Sequence, residues 1–402
     1  MIPPVRKIYN EGFSEEKYRN FLKDLDNPHP GAVDFRVAET PVFVPATFLR
    51  QMEDTCAYIL DLIRDPAFKE RTAASIPASE WTAGENSHPH FVSFDFGVCL
   101  NSRGEMEPQL IELQAFPTLF AFQVLLSECY KKNFPVPDSF SYLLGGYSLD
   151  GYLDLLREII VGSVPVEQVI LLEVRPHEQK TRIDFYCTED YLGIRPVCIT
   201  ELIAEEKALY YLRDGRKTRI RRIYNRVIYD DLRAQLDTLG PVIDMTADWD
   251  VEWISHPNWF YRISKYLLPL MHHPHIPAAY YLHELKQIPE DLDQYVLKPL
   301  YSFAGQGVLI DVTAQDLDAI PDPQNWILQR KVPYADCIVT PDGPAKCEIR
   351  LMYFWKDKEL PAVPANNLAR LSKGKMIGTR FNKDKNWVGG SACFFEPADR
   401  AS

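Results

Sequence analysis

The spacing of apolar residues predicts helices in the first part of the chain. Residues 14–22 begin with a serine that can cap a helix and continue with an acidic first turn. Residues 47–63 carry apolar side chains every three or four positions, which is the period of a helix that buries one face. We therefore expect the chain from about residue 10 to residue 70 to be helical.

A pair of strands and then a smaller α/β unit are predicted next. Residues 91–100 and 109–114 are rich in strand-forming residues and are separated by a turn. A Pro-rich stretch at 135–138 marks a boundary. Beyond it, helical and β-rich runs alternate, which predicts a partly parallel sheet; these runs are a helix at 153–161, a buried strand at 167–174, a helical segment at 180–185, a strand at 197–200 and a hairpin at 208–213 with its turn at Asp214-Gly215.

Length and composition indicate a globular protein of several domains. The chain has 402 residues, which is more than one hydrophobic core usually holds, and its hydrophobic and charged fractions of 46% and 25% are ordinary for a globular protein. We expect an α+β or α/β protein with three parts. These are residues 1–138, a small lobe at 139–248, and residues 249–402.

The charge balance and the apolar pattern limit the kinds of molecule that this protein is expected to bind. The formal net charge of −12 argues against nucleic acid or an anionic membrane as the main partner, so that a phosphate site must be a local basic pocket. No apolar run reaches membrane-spanning length, and the first residues lack the apolar core of a signal peptide. The eight cysteines contain no Cys-x-x-Cys pair, which favours reduced thiols and a cytoplasmic location. The sequence does not specify an oligomeric state.

One lysine lies between a β-rich run and a loop of small residues. Residues 295–300 predict a strand that carries Lys298, and residues 308–310 predict a second strand. The loop between them contains Ser302, Gly305 and Gly307, whose small side chains let backbone N–H groups approach an anion. An ordinary glycine turn with a solvated lysine is the alternative.

The strand pair at 91–114 offers oxygen ligands for a cation. Glu112 and Gln114 are two positions apart and share one face of their strand, together with Leu110 by the same count. If the two strands pair, Asp95 joins that face, and three oxygen donors there suit Mg²⁺. A solvated polar face of an edge hairpin is the alternative.

These motifs resemble those of the ATP-grasp ligases. The run Leu297-Lys298-Pro299-Leu300 with Gly305 and Gly307 is similar to the nucleotide-binding hairpin of glutathione synthetase. The run from Asp95 through Glu112 and Gln114 to Pro117 resembles the metal-binding hairpin of these enzymes, with glutamine where asparagine is usual. The metal hairpin precedes the lysine hairpin here. That order resembles the circularly permuted ATP-grasp domain of glutathionylspermidine synthase and its relatives, with a small flanking lobe like those that precede ATP-grasp domains.

The resemblance implies roles for further residues. The run around Trp259 and Ser264-Lys265 is similar to a segment of glutathionylspermidine synthase, which implies that Lys265 and Lys298 bind the nucleotide phosphates. Residues 327–333 would form the hinge that holds adenine. The remaining implied residues are Gln329 and Val332 in that hinge, Asp336 near the ribose, Arg350, Arg370 and Arg380 at the transferring phosphate, and Asn382 on the substrate side.

A basic cluster in the small lobe supports two interpretations. Arg219, Arg221, Arg222 and Arg226 lie close together in an acidic chain. They form either the charged edge of a sheet or one wall of a pocket for a substrate carboxylate. In the second interpretation, Arg226 is the residue that contacts the substrate.

The activity implied by the resemblance is ATP-dependent amide synthesis. The γ-phosphoryl group would pass to a small-molecule or peptide carboxylate, and an amine would then displace phosphate from the acyl phosphate, with release of ADP. ATP and Mg²⁺ are the implied cofactors. A nucleotide-binding protein without catalytic activity, or a carboxylate kinase without an amine acceptor, are the alternatives.

Overall fold

The protein is described here from a computed structural model, which covers residues 1–301, 307–374, 377, 382 and 384–398. The strands within these residues are β1 Val42–Val44, β2 Phe91–Leu100, β3 Met106–Gln114, β4 Val169–Glu173, β5 Arg195–Cys198, β6 Ile203–Glu205, β7 Ala208–Arg213, β8 Arg216–Arg219, β9 Arg222–Asn225, β10 Glu252–Ile254, β11 Ala279–Tyr281, β12 Tyr295–Pro299, β13 Trp326–Arg330, β14 Lys346–Phe354, β15 Val363–Ser372, β16 Gly389–Ser391 and β17 Cys393–Phe395.

The α-helices of the same residues are α1 Pro3–Gly12, α2 Glu15–Asp26, α3 Ala46–Arg64, α4 Phe68–Arg71, α5 Phe122–Asn133, α6 Leu149–Ile160, α7 Arg182–Leu192, α8 Tyr229–Leu239, α9 Pro257–Arg262 and α10 Ala314–Asp318. Ser14 caps α2 as predicted, because its side chain accepts a hydrogen bond from the backbone N–H of Lys17. The prediction of a helical segment from 10 to 70 was wrong between the helices, where Val42–Val44 form β1 and pair with β17.

An antiparallel sheet of five strands, which we call the main sheet, forms the centre of the molecule. Its strand order is β16-β15-β14-β2-β3. The sheet therefore joins β2, from the first quarter of the chain, to β14 near residue 350. One face packs on α3, with a core that includes Phe94, Phe96 and Ile349.

A parallel sheet forms the small lobe. Its order is β10-β9-β4-β5, and all three pairings are parallel. Helices α7 and α8 connect parallel strands and cover its apolar surfaces, as in other α/β units. Strand β10 lies beyond the predicted boundary at residue 248, although the domain limits themselves stay a prediction.

Two three-stranded antiparallel sheets flank these layers. The sheet β6-β7-β8 extends the small lobe, and its turn is at Asp214-Gly215 as predicted. The sheet β11-β13-β12 carries Lys298 and is called the lysine sheet below. The predicted second strand after the loop is reduced to a bridge in which Leu297 and Leu309 exchange two backbone hydrogen bonds of 3.0 and 2.9 Å.

Residues 80–90, which we call the connecting segment, bind both the small lobe and the region around α9. Thr82 contacts the Tyr229 hydroxyl at 2.7 Å, and the Ala83 carbonyl lies 3.0 Å from Nε2 of His256. Glu85 accepts hydrogen bonds of 2.9 and 3.0 Å from Nε and Nη2 of Arg262. This segment therefore fixes the position of the small lobe against the rest of the molecule. None of the helices described is long and apolar enough to cross a membrane.

Candidate functional site

One face of the main sheet carries a row of charged side chains. Register places Arg350 of β14 opposite Asp95 of β2, and Asp95 opposite Glu112 of β3. On the other side of β14, Glu348 lies opposite Arg370 of β15. The strand pairing that the sequence predicted for 91–114 is thus present, and it brings five charged residues of four strands together.

Asp95 and Arg350 form a buried bidentate ion pair. Nε of Arg350 lies 2.5 Å from Oδ1 of Asp95, and Nη2 lies 2.6 Å from Oδ2. Both residues are buried, at 3% and 4% exposure. Burial acts to raise the pKa of Asp95, but the charge and hydrogen bonds of Arg350, with a contribution from Arg370, outweigh it and hold the pKa below its usual value.

Glu348 and Arg370 form a second pair beside the first. Nη1 of Arg370 lies 2.8 Å from Oε1 of Glu348, and its Nη2 lies 3.6 Å from Oδ2 of Asp95. The Tyr334 hydroxyl donates to the other Glu348 oxygen at 3.2 Å. Burial raises the pKa of Glu348 although Arg370 opposes it. The signal for Glu348 was its position two residues before Arg350 on the same strand face, whereas nothing in the sequence indicated Tyr334.

A β-bulge in β3 changes which residues accompany Glu112. The register shifts between Asp95 and Phe96, so that Asp95 pairs with Glu112 while Phe96 pairs with Leu110. Ile111 is the extra residue. The expectation that Leu110 shares a face with Glu112 was therefore wrong, and Leu110 is buried in the core on the opposite face.

Lys298 of the lysine sheet reaches the bulge. Its Nζ donates to Oε1 of Gln329 at 2.6 Å and to the Ile111 carbonyl oxygen at 3.4 Å. Burial lowers the pKa of Lys298 to about 8, with Lys265 acting in the same direction and Glu112 and Glu348 acting against it. The lysine sheet and the main sheet therefore meet at Glu112.

Lys265 lines a cleft beside the bulge of β3. It begins a 3₁₀ helix, Lys265–Leu270, and is 5% exposed. Burial lowers its pKa, whereas Glu112 and Asp230 act to raise it. The cleft is lined by Glu112, Gln114, Phe116, Ser264, Lys265 and Tyr301 among others. One predicted phosphate lysine, Lys265, and two predicted metal ligands thus line this cleft. The second lysine, Lys298, is close enough for Glu112 and Lys265 to affect its pKa.

The predicted adenine hinge lies against the main sheet. A Cβ at Gly97 would be 2.7 Å from the Val332 side chain, so that glycine allows the hinge to touch β2. Gln329 is 1% exposed, and within the described residues its Nε2 has no hydrogen-bond partner. Asp336 is exposed on the segment after the hinge, where the structure gives no contact that bears on a ribose.

The structure places two further predicted residues, Gly307 and Asn382, at turns and strand ends near the site. Gly307 has a φ of +71° and lies against Pro299, as a return turn beside the lysine strand requires. Asn382 is buried and bonds Ser372 and the Lys373 backbone, so that it supports the end of β15. Ser302, Gly305 and Arg380 lie outside the described residues.

Arg226 is a buried cation at the carboxyl edge of the parallel sheet. It is 3% exposed, and its Nη1 lies 3.9 Å from Oδ2 of Asp184. Its guanidinium is stacked 4.6 Å from the centre of the Phe116 ring, which lines the cleft. Within the described part of the chain, its Nε and Nη1 lack hydrogen-bond partners. The structure therefore separates Arg226 from the half-buried Arg219 and the exposed Arg221, which pair with Asp250.

More polar groups without partners lie at this edge. Asn225 Nδ2 and Ser255 Oγ are buried and have no hydrogen-bond partner among the described residues. Asn225 is the last residue of β9, and Ser255 follows the neighbouring strand β10. Glu173 ends β4 nearby, and burial raises its pKa to about 8 although Arg226 opposes the shift. In parallel α/β sheets this edge is the usual place for a ligand. The sequence did not indicate Ser255, Asp184 or Glu173.

The side chains of this region can be compared with the ligands that a divalent cation requires. Within the described residues, no group of three or more His, Cys, Asp or Glu side chains is placed to hold a metal ion. Glu112 and Gln114 share a face of the cleft, and Mg²⁺ commonly uses one or two carboxylates together with substrate phosphates. These two residues fit that pattern. Asp95 does not, because Arg350 occupies both of its oxygens.

Comparisons with known proteins yield a fold. No family model matches the chain, and no curated protein matches it. Its structure is similar to that of a glutathione synthetase-like effector from Globodera pallida, solved in its apo form. The two are 10% identical with a TM-score of 0.58, and the match covers 97% of this chain and 99% of the other. The chain therefore has a mixed α/β, glutathione synthetase-like fold.

Proposed function

We propose that this chain, whose fold is glutathione synthetase-like, is an ATP-dependent carboxylate–amine ligase that works through an acyl phosphate. The observation that carries the proposal is the proximity of two lysines to Glu112, beside the arginines of the main sheet. Lys265 lines the cleft with Glu112, and Lys298 donates to the backbone next to Glu112. Cations from three separate elements at one place suit a polyphosphate in a chain whose net charge is −12.

The nucleotide would lie between the lysine sheet and the main sheet. Lys265 and Lys298 would hold the phosphates, and the loop with Ser302, Gly305 and Gly307 would cover them. Nε2 of Gln329, which has no hydrogen-bond partner among the described residues, and the backbone near Val332 would contact adenine. Asp336 stays a prediction for the ribose. Phosphoryl transfer needs positioning and charge stabilisation more than covalent chemistry, and this site offers both.

The reaction has two steps. A carboxylate oxygen of the first substrate attacks the γ-phosphorus, and the bond to the β–γ bridging oxygen breaks, which releases ADP. The nitrogen of the amine substrate then attacks the acyl carbon, phosphate leaves, and the nitrogen loses a proton. Arg350 and Arg370, together with Arg380, would stabilise the negative charge on the transferring group. Glu112 and Gln114 would hold Mg²⁺, which when bound neutralises phosphate charge.

The carboxylate substrate would bind at the carboxyl edge of the parallel sheet. Among the described residues, Nε and Nη1 of Arg226 have no hydrogen-bond partner there, and Asn225 and Ser255 add two more polar groups. A small-molecule or peptide carboxylate would accept hydrogen bonds from all three. Asn382 would act indirectly, by supporting the end of β15.

The fold would then be a circularly permuted ATP-grasp domain with a flanking lobe. In support, the hairpin of β2 and β3 precedes the lysine sheet in the chain, yet Lys298 bonds the carbonyl next to Glu112. The alternative of a nucleotide-binding protein without turnover is favoured by one observation, the engagement of Asp95 by Arg350.

Calorimetry with ATP tests the nucleotide site. Wild type should bind ATP, and Lys298→Ala should weaken binding at least tenfold, because a buried charge-assisted contact to phosphate is lost. Lys286→Ala, at an exposed lysine between β11 and β12 of the same sheet, is the matched control and should bind like wild type. Equal affinity in Lys298→Ala would end this assignment.

A phosphate-release screen against carboxylate and amine libraries tests the reaction. Release of ADP that needs both an added carboxylate and an added amine supports the ligase. Release with a carboxylate alone indicates a carboxylate kinase, and ATP binding without release indicates a protein that only binds nucleotide.

A further inference from the structure

Asp95 is held differently from the other predicted metal ligands. Both of its oxygens accept hydrogen bonds from Arg350, at 2.5 and 2.6 Å, and Nη2 of Arg370 lies 3.6 Å from Oδ2. In the described residues, no hydrogen bond engages the carboxylate of Glu112 or the side-chain amide of Gln114. The two ends of the predicted metal hairpin are therefore not equivalent.

Charge makes Asp95 a poor site for a second cation. A magnesium ion on this carboxylate would lie beside two guanidinium groups in a buried region, where like charges repel strongly. It would also have to displace a bidentate charge-assisted pair. Glu112 instead lines the cleft together with Gln114.

The same pair fixes the direction of Arg350. Asp95 takes Nε and Nη2, which leaves Nη1 unattached to this carboxylate and locks the plane of the guanidinium. Register across β14 and β2 sets both residues opposite each other, so that the backbone holds the pair in place.

We propose that Asp95 is a positioning residue, which orients Arg350 toward the nucleotide phosphates, and that it does not ligate magnesium. The inference rests on the proposed nucleotide site. The metal then depends on Glu112, Gln114 and the phosphates of the nucleotide.

Manganese serves as the probe for the metal, since its binding to the protein–ADP complex is read directly by electron paramagnetic resonance. Asp95→Asn should keep the Mn²⁺ dissociation constant within about twofold of wild type, and Glu112→Gln should raise it at least tenfold, because of these two carboxylates only Glu112 supplies a ligand. An equal loss in both variants would overturn the proposal.

The positioning role has its own readout, which is ATP affinity without any metal in the presence of a chelator. Arg350→Gln should weaken ATP binding several-fold, and Asp95→Asn should weaken it in wild type but not further in the Arg350→Gln background. A pure metal ligand predicts the opposite sign, since removal of its negative charge would tighten metal-free ATP binding in both backgrounds. That result would also refute the proposal.

The double variant Asp95→Asn/Arg350→Gln guards against misfolding, because it leaves no unpaired buried charge. Its Mn²⁺ affinity should equal that of Arg350→Gln alone, and a further loss would contradict the inference. Failure of wild type to bind ATP at all would defeat the proposed function, and this inference with it. If wild type binds ATP but Asp95→Asn has lost its affinity for Mn²⁺, the inference alone is refuted and the proposed function stands.

Discussion

Lys298 is the residue whose charge most directly ties the site to pH. Its pKa is lowered to about 8 by burial, so that it is charged below that pH and neutral above it. If the ammonium holds phosphate, ATP affinity should fall as the pH rises from 7 to 9.5, by up to about tenfold per pH unit above 8. Calorimetric titration without metal at a series of pH values measures this.

Lys298→Arg provides the comparison, because a guanidinium stays charged throughout that range. Its slope should be flatter than that of wild type. Any slope that remains belongs to Lys265, whose pKa burial also lowers. A wild-type affinity that does not change between pH 7 and 9.5 would show that Lys298 does not bind the phosphates as a cation.

For single residues, the sequence indicated which side chains belong to the candidate site better than it indicated which side chains they contact. Asp95, Glu112, Arg350 and Lys298 are recognisable from motif and spacing. That Asp95 bonds Arg350 is set by the register between strands 255 residues apart in the chain, which no local pattern contains. A buried polar group such as the Ser255 hydroxyl, which has no hydrogen-bond partner among the described residues, cannot be found from the sequence either. A buried serine and an exposed serine are the same letter.

Among the elements, β2 and β3 show how a local irregularity builds the site. The bulge places Ile111 out of register, and its carbonyl oxygen becomes the acceptor for Lys298. Strict alternation predicts the two strands and the face of Glu112 but not the extra residue. The element type was therefore predictable, whereas the bulge that shapes the cleft was not.

Gly97 on β2 offers a test of the contact between this element and the hinge. Gly97→Ala would place a methyl group 2.7 Å from Val332 and 3.0 Å from the Tyr334 ring. Overpacking of this kind costs about 1–3 kcal/mol, and it should also weaken ATP binding by moving the hinge. Urea unfolding and calorimetry measure the two effects.

Gly390→Ala is the matched control for that change. It is also a sheet glycine, but an added Cβ there meets its neighbours at 3.7 Å or more, which is ordinary contact. This variant should remain close to wild type in both measurements. Equal behaviour of the two variants would show that the hinge does not depend on close approach to β2.

For the molecule as a whole, the connecting segment holds the small lobe in place. Arg262 is 2% exposed on its side chain and bonds Glu85, the Lys69 carbonyl and the Thr72 hydroxyl. Arg262→Leu would leave Glu85 with only part of its buried partners, and we expect a loss of about 3–5 kcal/mol in unfolding free energy. Chemical denaturation monitored by tryptophan fluorescence reports this loss.

A surface ion pair gives the control for this experiment. Arg103 and Glu105 lie 2.8 Å apart with side chains 77% and 60% exposed, so that Arg103→Leu should change stability by less than about 1 kcal/mol. A similarly small effect for Arg262→Leu would mean that the ion pair of Glu85 with Arg262 does not anchor the connecting segment.

The overall arrangement was only partly predictable. Alternating strands and helices indicated the parallel sheet of the small lobe, because its strands are near each other in the chain. The main sheet draws strands from both ends of the chain, and only the resemblance of its motifs suggested that they meet. Contacts between distant segments leave no periodic trace, which is why the connecting segment was missed.

The pairing of β2 with β14 also determines how long β2 must wait during translation before its partner strand is made. Asp95 and Arg350 are 255 residues apart, which at about 5–20 residues per second corresponds to roughly 13–50 s of translation. The strands of the parallel sheet are all made within that interval. A growing chain therefore contains all strands of the small lobe while the main sheet still lacks β14, β15 and β16. During that time β2 has no partner on its β14 side. That intermediate is the form in which a nascent chain would most need a chaperone.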